Sequence, residues 1–367
     1  MDPTSIIFQR LRNQKLSSSV FQSPADVVRW MGAVQAQDFN AAKWALALRM
    51  RKATNAVIED AYDRGEILRT HVLRPTWHFV APEDIRWMLK LTAPRVNVRC
   101  GPNYRKFELD EKVFKRSNKA IATALKGAKY LTRAELKSVL NRAGVAVDDP
   151  IRLVHVLLRA ELDALVCSGP RRGKQFTYAL LDERVPAAQT LTHDEALTEL
   201  TQRYFASHGP ATLADFVWWS GLTTSEARRG ISLLDTHLDQ VLIDDTVYWS
   251  ATSAAPPVPR SSPSAHLLPA YDEYNVAYKN RQLLFDSAHI TNWDALGPTI
   301  TVDGRIIGTW KSTVDKNQMS IALDPSRPLK RRERLDIGAA AEQYAAFVSM
   351  VRPTLNIRNG GKFHLRR

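Results

Sequence analysis

Residues able to do chemistry are sparse in this chain, and the densest cluster is Val34-Gln35-Ala36-Gln37-Asp38-Phe39. Two amides and a carboxylate stand where an amphipathic helix is expected to end. A glutamine cannot act as general base at neutral pH, but its carbonyl accepts and its amide donates, so it can hold and orient a water. Gln35 and Gln37 are two residues apart, so in continuous helix they point about 200° apart. They converge only if the backbone leaves the helix there, or if they grip two sides of one ligand. The alternative is a polar helix end in which Asp38 caps the next helix, a position carboxylates favour. The residues alone leave both readings open.

Other chemistries lack a site. Gly169-Pro-Arg-Arg-Gly173-Lys174 is one residue short of a phosphate loop and is followed by Gln175 in place of Ser or Thr. There is no GxGxxG, GxSxG or HExxH. The nine histidines are scattered, and Cys100 and Cys167 lack ligand spacing, so neither a metal nor a disulfide framework is expected. No cofactor is expected either.

The elements that must position the cluster follow from periodicity. Val27, Met31 and Val34 recur at helical spacing over 23–37, with Ser23-Pro24 as cap and first turn. Helices over 40–50 and 54–64, the latter ended by Gly65, precede strands at 67–72 and 77–80. Helices at 112–126, 132–143 and 151–165 precede a basic turn and strand over 169–178. The second of these starts with Thr132 and Glu135 at capping-box spacing, and Ile151, Val154, Leu158, Leu162 and Leu165 share one face of the third. Helices at 193–207, 212–219 and 224–234 precede a hairpin over 240–250 with an Asp-Asp turn. These are three divergent copies of helices followed by a short hairpin, the outline of a winged helix. A Pro/Ser-rich linker follows at 254–265. Strands then fall at 266–269 and 299–311, with a hairpin signal at Asp303-Gly304. The basic stretch 327–334 leads to a closing helix over 337–351. The expected class is α+β, mainly α, with units at 1–108, 109–190 and 191–253, a linker, and a β-rich domain with a terminal helix at 266–367.

Of 367 residues, 44% are hydrophobic, enough for two or three modules. No run of eighteen apolar residues spans a membrane, and Met1–Lys15 has no apolar stretch that reads as a secretion signal. A reducing cytoplasm is the expected setting. The formal net charge is +13, and its placement matters more than its size. Residues 1–190 carry 32 Lys and Arg against 19 Asp and Glu, whereas residues 191–367 carry 19 of each. Excess charge confined to one half suits a polyanion, because neutralising phosphates releases counterions. An inert basic surface is the plainer alternative.

Five segments occur in one order: Gln35-Ala36-Gln37, Arg74-Pro-Thr-Trp-His78, the run from Gly209 to Trp219, Leu267 to Asp272, and Val302 to Trp310. The set resembles the winged-helix DNA glycosylase family of the AlkZ/AlkX type, from about Val20 to about Leu335. The resemblance implies tandem winged helices in a C-shaped scaffold with a C-terminal β-rich domain. It implies cleavage of the N-glycosidic bond of alkylated purines in duplex DNA, including unhooking of interstrand crosslinks. Its catalytic motif is Gln, an aliphatic residue, then Gln or Asp. Gln35 and Gln37 match the Gln-Gln form of the crosslink-unhooking AlkZ branch, and Ala36 is small for the middle position.

Such a site has no strong base, which suits a cationic N7-alkylpurine whose leaving group departs without protonation. What remains is to position water against an oxocarbenium-like centre. Asp38 is a candidate electrostatic assistant as well as a cap. Arg74 and His78 sit on the first hairpin, near where a wing meets DNA. Arg171, Arg172 and Lys174 form a basic turn for phosphates, or a solvated loop. Tyr271 and Asp272 follow a strand and are candidates to line the cleft, and Lys279 and Arg281 are candidates to face phosphates. Trp218 and Trp219 are assigned to a helix-turn-helix core. A monomer is expected, because three units in one chain need no dimer. A non-catalytic winged-helix regulator, or a protein that sequesters a lesion, also accounts for charge and fold.

Overall fold

The computed structural model describes residues 2–187, 190–252, 265–285, 296–315, 318–350, 353–358 and 361–363. The first helix, Pro3–Asn13, is capped by Asp2. The next, Pro24–Met31, starts as its sequence indicates, with Ser23 as N-cap and Pro24 in the first turn. It ends early, at Gly32, whose φ of 77° closes the helix. Val34–Gln35 is then extended and pairs antiparallel with Trp77–Val80, Val34 opposite Phe79 and Gln35 opposite His78. The helix expected through Gln37 is therefore cut short. A ladder to a strand some forty residues away outweighs the local helical period.

Trp77–Val80 is the middle strand of three, with Leu68–His71 on its other side. Helices Phe39–Ala47 and Asn55–Arg64 pack beside this sheet, and Gly65 at φ 79° ends the second as expected. A 22-residue helix, Ile85–Lys106, runs on from the sheet. The sequence reading did not anticipate it, since Pro94 and Pro102 lie inside it and proline removes a helical N–H. Burial of Trp87, Met88, Leu91, Val96 and Cys100 along it supplies the compensation.

The plan repeats. Helices Glu111–Leu125, Arg133–Arg142 and Pro150–Leu162 precede a small sheet of Leu131–Thr132, Thr177–Leu180 and Val166–Ser168. The Thr132–Glu135 capping box is present. The expected face of the third helix is shifted. Ile151 is 53% exposed, and Leu153, Val156, Leu157 and Leu158 are buried. Helices His193–Ser207, Leu213–Ser220 and Thr224–Leu234 precede the hairpin Leu238–Ile243 and Thr246–Ala251. Asp244 and Asp245 turn it with φ of 45° and 58°, as a two-residue hairpin turn of the type I′ kind requires.

Among the described residues the C-terminal part forms a six-stranded sheet with order 361–363, 353–357, 318–325, 305–315, 299–302, 265–268. Asp303-Gly304 makes the expected tight turn between two of its strands. The closing helix is Arg331–Phe347, so it starts six residues before its expected first residue. The basic stretch forms its first turn, where Glu333 pairs with Arg327 at 2.9 Å. The linker assigned to 254–265 lies outside the described residues except for Ala265, which opens a strand. The result is a mixed α/β fold, mostly helical, with several small sheets. Among the described residues no helix is long and apolar enough to cross a membrane.

Polar contacts tie the parts together. Arg49 is fully buried and grips both oxygens of Asp272, each at 2.9 Å, while donating also to Gln14 Oε1. Arg10 donates to the carbonyl of Pro210 and lies over the Tyr278 ring. Trp44 Nε1 donates to the carbonyl of Leu267, and Tyr344 and Phe347 of the closing helix pack on its ring. The N-terminal sheet is thus fixed against both the third helical group and the C-terminal sheet.

Candidate active site

Gln35 is where these parts meet. Its backbone N–H donates to Glu273 Oε1 at 2.7 Å, and its side-chain carbonyl accepts from Arg74 Nη2 at 2.9 Å. Arg74 Nη1 donates to the carbonyls of Trp218 and Trp219 at the end of the helix Leu213–Ser220. Gly221 closes that helix with φ 73°, and a Cβ there would lie 2.1 Å from the Leu73 carbonyl. Only glycine lets the loop carrying Arg74 approach so closely.

Beneath Gln35, Glu273 is fully buried and accepts from two donors, Gln35 N at one oxygen and Trp219 Nε1 (2.9 Å) at the other. Both oxygens are therefore acceptors, which favours the carboxylate form. Burial opposes that charge. The His208 ring 3.5 Å away and the Arg74 guanidinium outweigh it and hold the pKa down to about 2. His208, buried and stacked on Tyr204, is itself pushed toward the neutral form by burial.

His78 pairs opposite Gln35 and is fully buried. Its Nδ1–H donates to the Thr76 carbonyl at 2.9 Å, and its Nε2 faces Arg74 Nη2 at 3.4 Å. Burial and then the Arg74 charge lower its pKa to about 3, so it is neutral at physiological pH. It orients Arg74 and does not act as an acid.

A cleft of about 620 Å³ opens onto Gln35. Arg74, Arg99, Lys279 and Arg281 line it together with Trp218, and among the described residues no Asp or Glu lines it. Trp218 is 43% exposed there, whereas its neighbour Trp219 is fully buried. The expected core role thus holds for Trp219 alone. The indole N–H of Trp218 donates to the carbonyl of Val276, and Arg281 lies 5.5 Å over its ring.

The other sequence candidates fall at varying distances from this cleft. The backbone leaves the helix before Gln35, but the strand ends at Gln35, and of the two glutamines only Gln35 is among the residues lining the cleft. Gln37 is exposed beyond the strand, and its Oε1 accepts from Trp77 N at 3.3 Å. Asp38 caps the helix Phe39–Ala47 by accepting from Asn40 N and Ala41 N at 3.0 Å. Tyr271 is half-buried at φ 60°. Asp272 does not line the cleft. It is fully buried in the Arg49 pair and caps the turn at Glu273. The carboxylate that reaches the site is Glu273, one residue beyond the segment Leu267 to Asp272 that carried the resemblance, and no sequence signal marked it.

Arg74 is not a free wing cation, because both its Nη nitrogens donate within the site. Arg171 is held by Glu59 at 2.7 Å and lies over Phe39, so it braces the first helical group. Arg172 is exposed but bound to Glu135 and to the Tyr130 carbonyl. Lys174 is exposed. Lys279 and Arg281, more than 240 residues from Gln35 in sequence, do reach its cleft. Among the described residues no three His, Cys, Asp or Glu side chains are grouped to hold a metal, and both cysteines are buried free thiols.

Helical groups with small sheets around a cleft lined by Lys and Arg define an architecture suited to a polyanion such as DNA. A model of the "DNA glycosylase AlkZ-like" family matches residues 28–347. The chain belongs to this AlkZ-like family of DNA glycosylases. It is 25% identical over 370 residues to the interstrand DNA cross-link repair glycosylase of Streptomyces sahachiroi, covering 93% of this chain and 94% of that protein. Its fold matches the Streptomyces sahachiroi DNA glycosylase AlkZ with a TM-score of 0.80, at 21% identity over 98% of this chain and 100% of that one.

Proposed function

We propose that this protein hydrolyses the N-glycosidic bond of N7-alkylated purine nucleotides in duplex DNA, including bulky adducts and interstrand crosslinks. The observation that carries the proposal is Gln35, fixed by Arg74 on the wall of a cleft that, among the described residues, is lined by four Lys and Arg and no carboxylate. Cations on that wall take phosphates, and Trp218 offers a face for a base. The lesion carries its own positive charge, so the C1′–N9 bond breaks with its electron pair moving onto the base, which leaves neutral. A water oxygen then bonds to C1′, its surplus proton passes to solvent, and an abasic site remains. Gln35 and Gln37 hold that water by their amides. Arg74 polarises the Gln35 carbonyl, and the Glu273 carboxylate behind the strand offsets the guanidinium charge that would otherwise oppose an oxocarbenium-like centre.

In this reading residues 1–108, 109–190 and 191–253 are three tandem winged-helix units in a C-shaped scaffold, and 266–367 form the β-rich domain. The enzyme works as a monomer in a reducing cytoplasm and needs no cofactor. Excision tests the function. The protein is incubated without metal with duplexes carrying N7-methylguanine or a nitrogen-mustard crosslink, and alkali then reveals abasic sites. Release that disappears in the Gln35→Ala, Gln37→Ala double variant supports the proposal. Binding of both duplexes without release overturns it in favour of a sequestering or regulatory protein.

A further inference from the structure

The three-stranded sheet that carries Gln35 has a second side. Side chains alternate along a strand and cross-strand partners share a face. The pairs Gln35–His78 and Thr70–His78 put these residues on the cleft side. The pairs Arg69–Phe79 and His71–Trp77 put Arg69, His71 and Trp77 on the opposite side. There they meet a separate cavity, also of about 620 Å³, between this sheet and the helix Pro150–Leu162.

Its walls are aromatic and aliphatic: Trp77, Phe176, Tyr178, Leu153, Leu157 and Leu158. Protein interiors close-pack, and a cavity of this size with apolar walls and a few polar groups has the form of a small-molecule site. The Arg69 guanidinium lies 4.1 Å from the Trp77 ring centre and 4.8 Å from that of Phe176, a flat polar plate between two rings. Among the described residues four cations line the cavity, Arg69, Arg133, Lys137 and Lys174, against one carboxylate, Asp148, which is 3.3 Å from Lys137. Flat rings call for a flat ring, and the surplus of cations calls for an anion. We propose that this cavity binds a small molecule with a planar aromatic body and an acidic group.

The site connects to the glutamine motif. Arg69 Nε donates to the Ala36 carbonyl at 2.9 Å, and Trp77 N donates to Gln37 Oε1. An occupant lying on Arg69 and Trp77 therefore touches the residues that hold Gln37. Such a molecule has two sources: it is free in solution, or it is the body of an adduct already bonded to DNA. Recognition is the same in both, and it does not depend on the glycosylase activity proposed above.

The probe is 1-anilinonaphthalene-8-sulfonate, an aromatic anion whose emission brightens in an apolar site, titrated into the full-length protein. Val154 is half-buried on the cavity wall, so Val154→Trp fills it from the rim. Saturable binding weakened about tenfold or more by Val154→Trp, and weakened by Lys174→Glu, is the expected result. Leu242→Trp, on the exposed hairpin over 238–251 and not on the cavity wall, leaves binding unchanged. Equal affinity in wild type, Val154→Trp and Lys174→Glu overturns the proposal, as does equal loss in Leu242→Trp. Lys174→Glu changes an exposed turn and carries the test alone if the tryptophan variant does not fold. Displacement of the probe by a duplex bearing an aromatic guanine adduct, but not by unmodified duplex, assigns the source to DNA. Displacement by neither assigns it to the free molecule.

Discussion

Replacing Glu273 by glutamine keeps the shape of the side chain and removes its charge, so it isolates what the buried carboxylate does. Glu273 accepts from Gln35 N at one oxygen and from Trp219 Nε1 at the other. A glutamine has one acceptor oxygen, and its NH2 must then face one of these N–H groups, leaving that donor unsatisfied. Leaving that buried donor unsatisfied costs about 1–3 kcal/mol. With an unfolding entropy near 2.1 cal/mol/K per residue, 367 residues give about 0.8 kcal/mol/K, so Tm falls by about 1–4 °C. The lowered pKa fixes the pH dependence. The stabilisation by the carboxylate is complete above about pH 4.5 and is lost as pH falls toward about 2. Wild type and Glu273→Gln therefore differ most near neutrality and converge in acid. The same change loosens the backbone of Gln35, and displacement of a positioning group by about 1 Å costs on the order of a hundredfold in rate. The assays are urea unfolding at neutral and acidic pH and single-turnover release of N7-methylguanine. A variant with unaltered stability at neutral pH and an unaltered rate refutes the assignment of Glu273 as the positioning group.

Three further outcomes follow from the geometry. Gly221→Ala drives a methyl into the Leu73 carbonyl and pushes Arg74 off Gln35. Overpacking there costs about 1–3 kcal/mol, and excision falls while the duplex still binds, a split read by comparing single-turnover rate with duplex Kd. Asp272→Asn leaves Arg49 buried without its counter-charge and destabilises by about 3–5 kcal/mol in urea, with the chain still a DNA binder at low temperature. His78, with a folded pKa of about 3, keeps its neutral Nδ1–H form from about pH 5 to 8. The stability it contributes as a neutral ring is present above about pH 6.5 and is lost as pH falls toward about 3. Side-chain nitrogen NMR checks this, and a His78 signal titrating near 6.5 contradicts it.

Much of the fold was legible because it is written locally. Ser23-Pro24, Thr132 with Glu135, Gly65, Asp244-Asp245 and Asp303-Gly304 are signals whose physics lies within four residues, and each marks the element it suggested. The misjudged elements are those in which distant partners decide. The end of the helix before Gln35 is set by Phe79 and His78, and the long helix through Pro94 by the core it buries. The order of the five motifs was enough to indicate the family.

The sequence by itself determined the class of protein, the surplus of positive charge in its first half, and a pair of glutamines able to hold water without a strong base. It could not tell Asp272 from Glu273. The two are adjacent carboxylates, and only the tertiary structure turns one into the partner of Arg49 and the other into the support of Gln35. Nor could it show that Arg74 is spent inside the site while Lys279 and Arg281 come to the cleft. Charge and hydrogen-bonding capacity belong to a residue type, but the partner that uses them is chosen by packing between segments hundreds of residues apart.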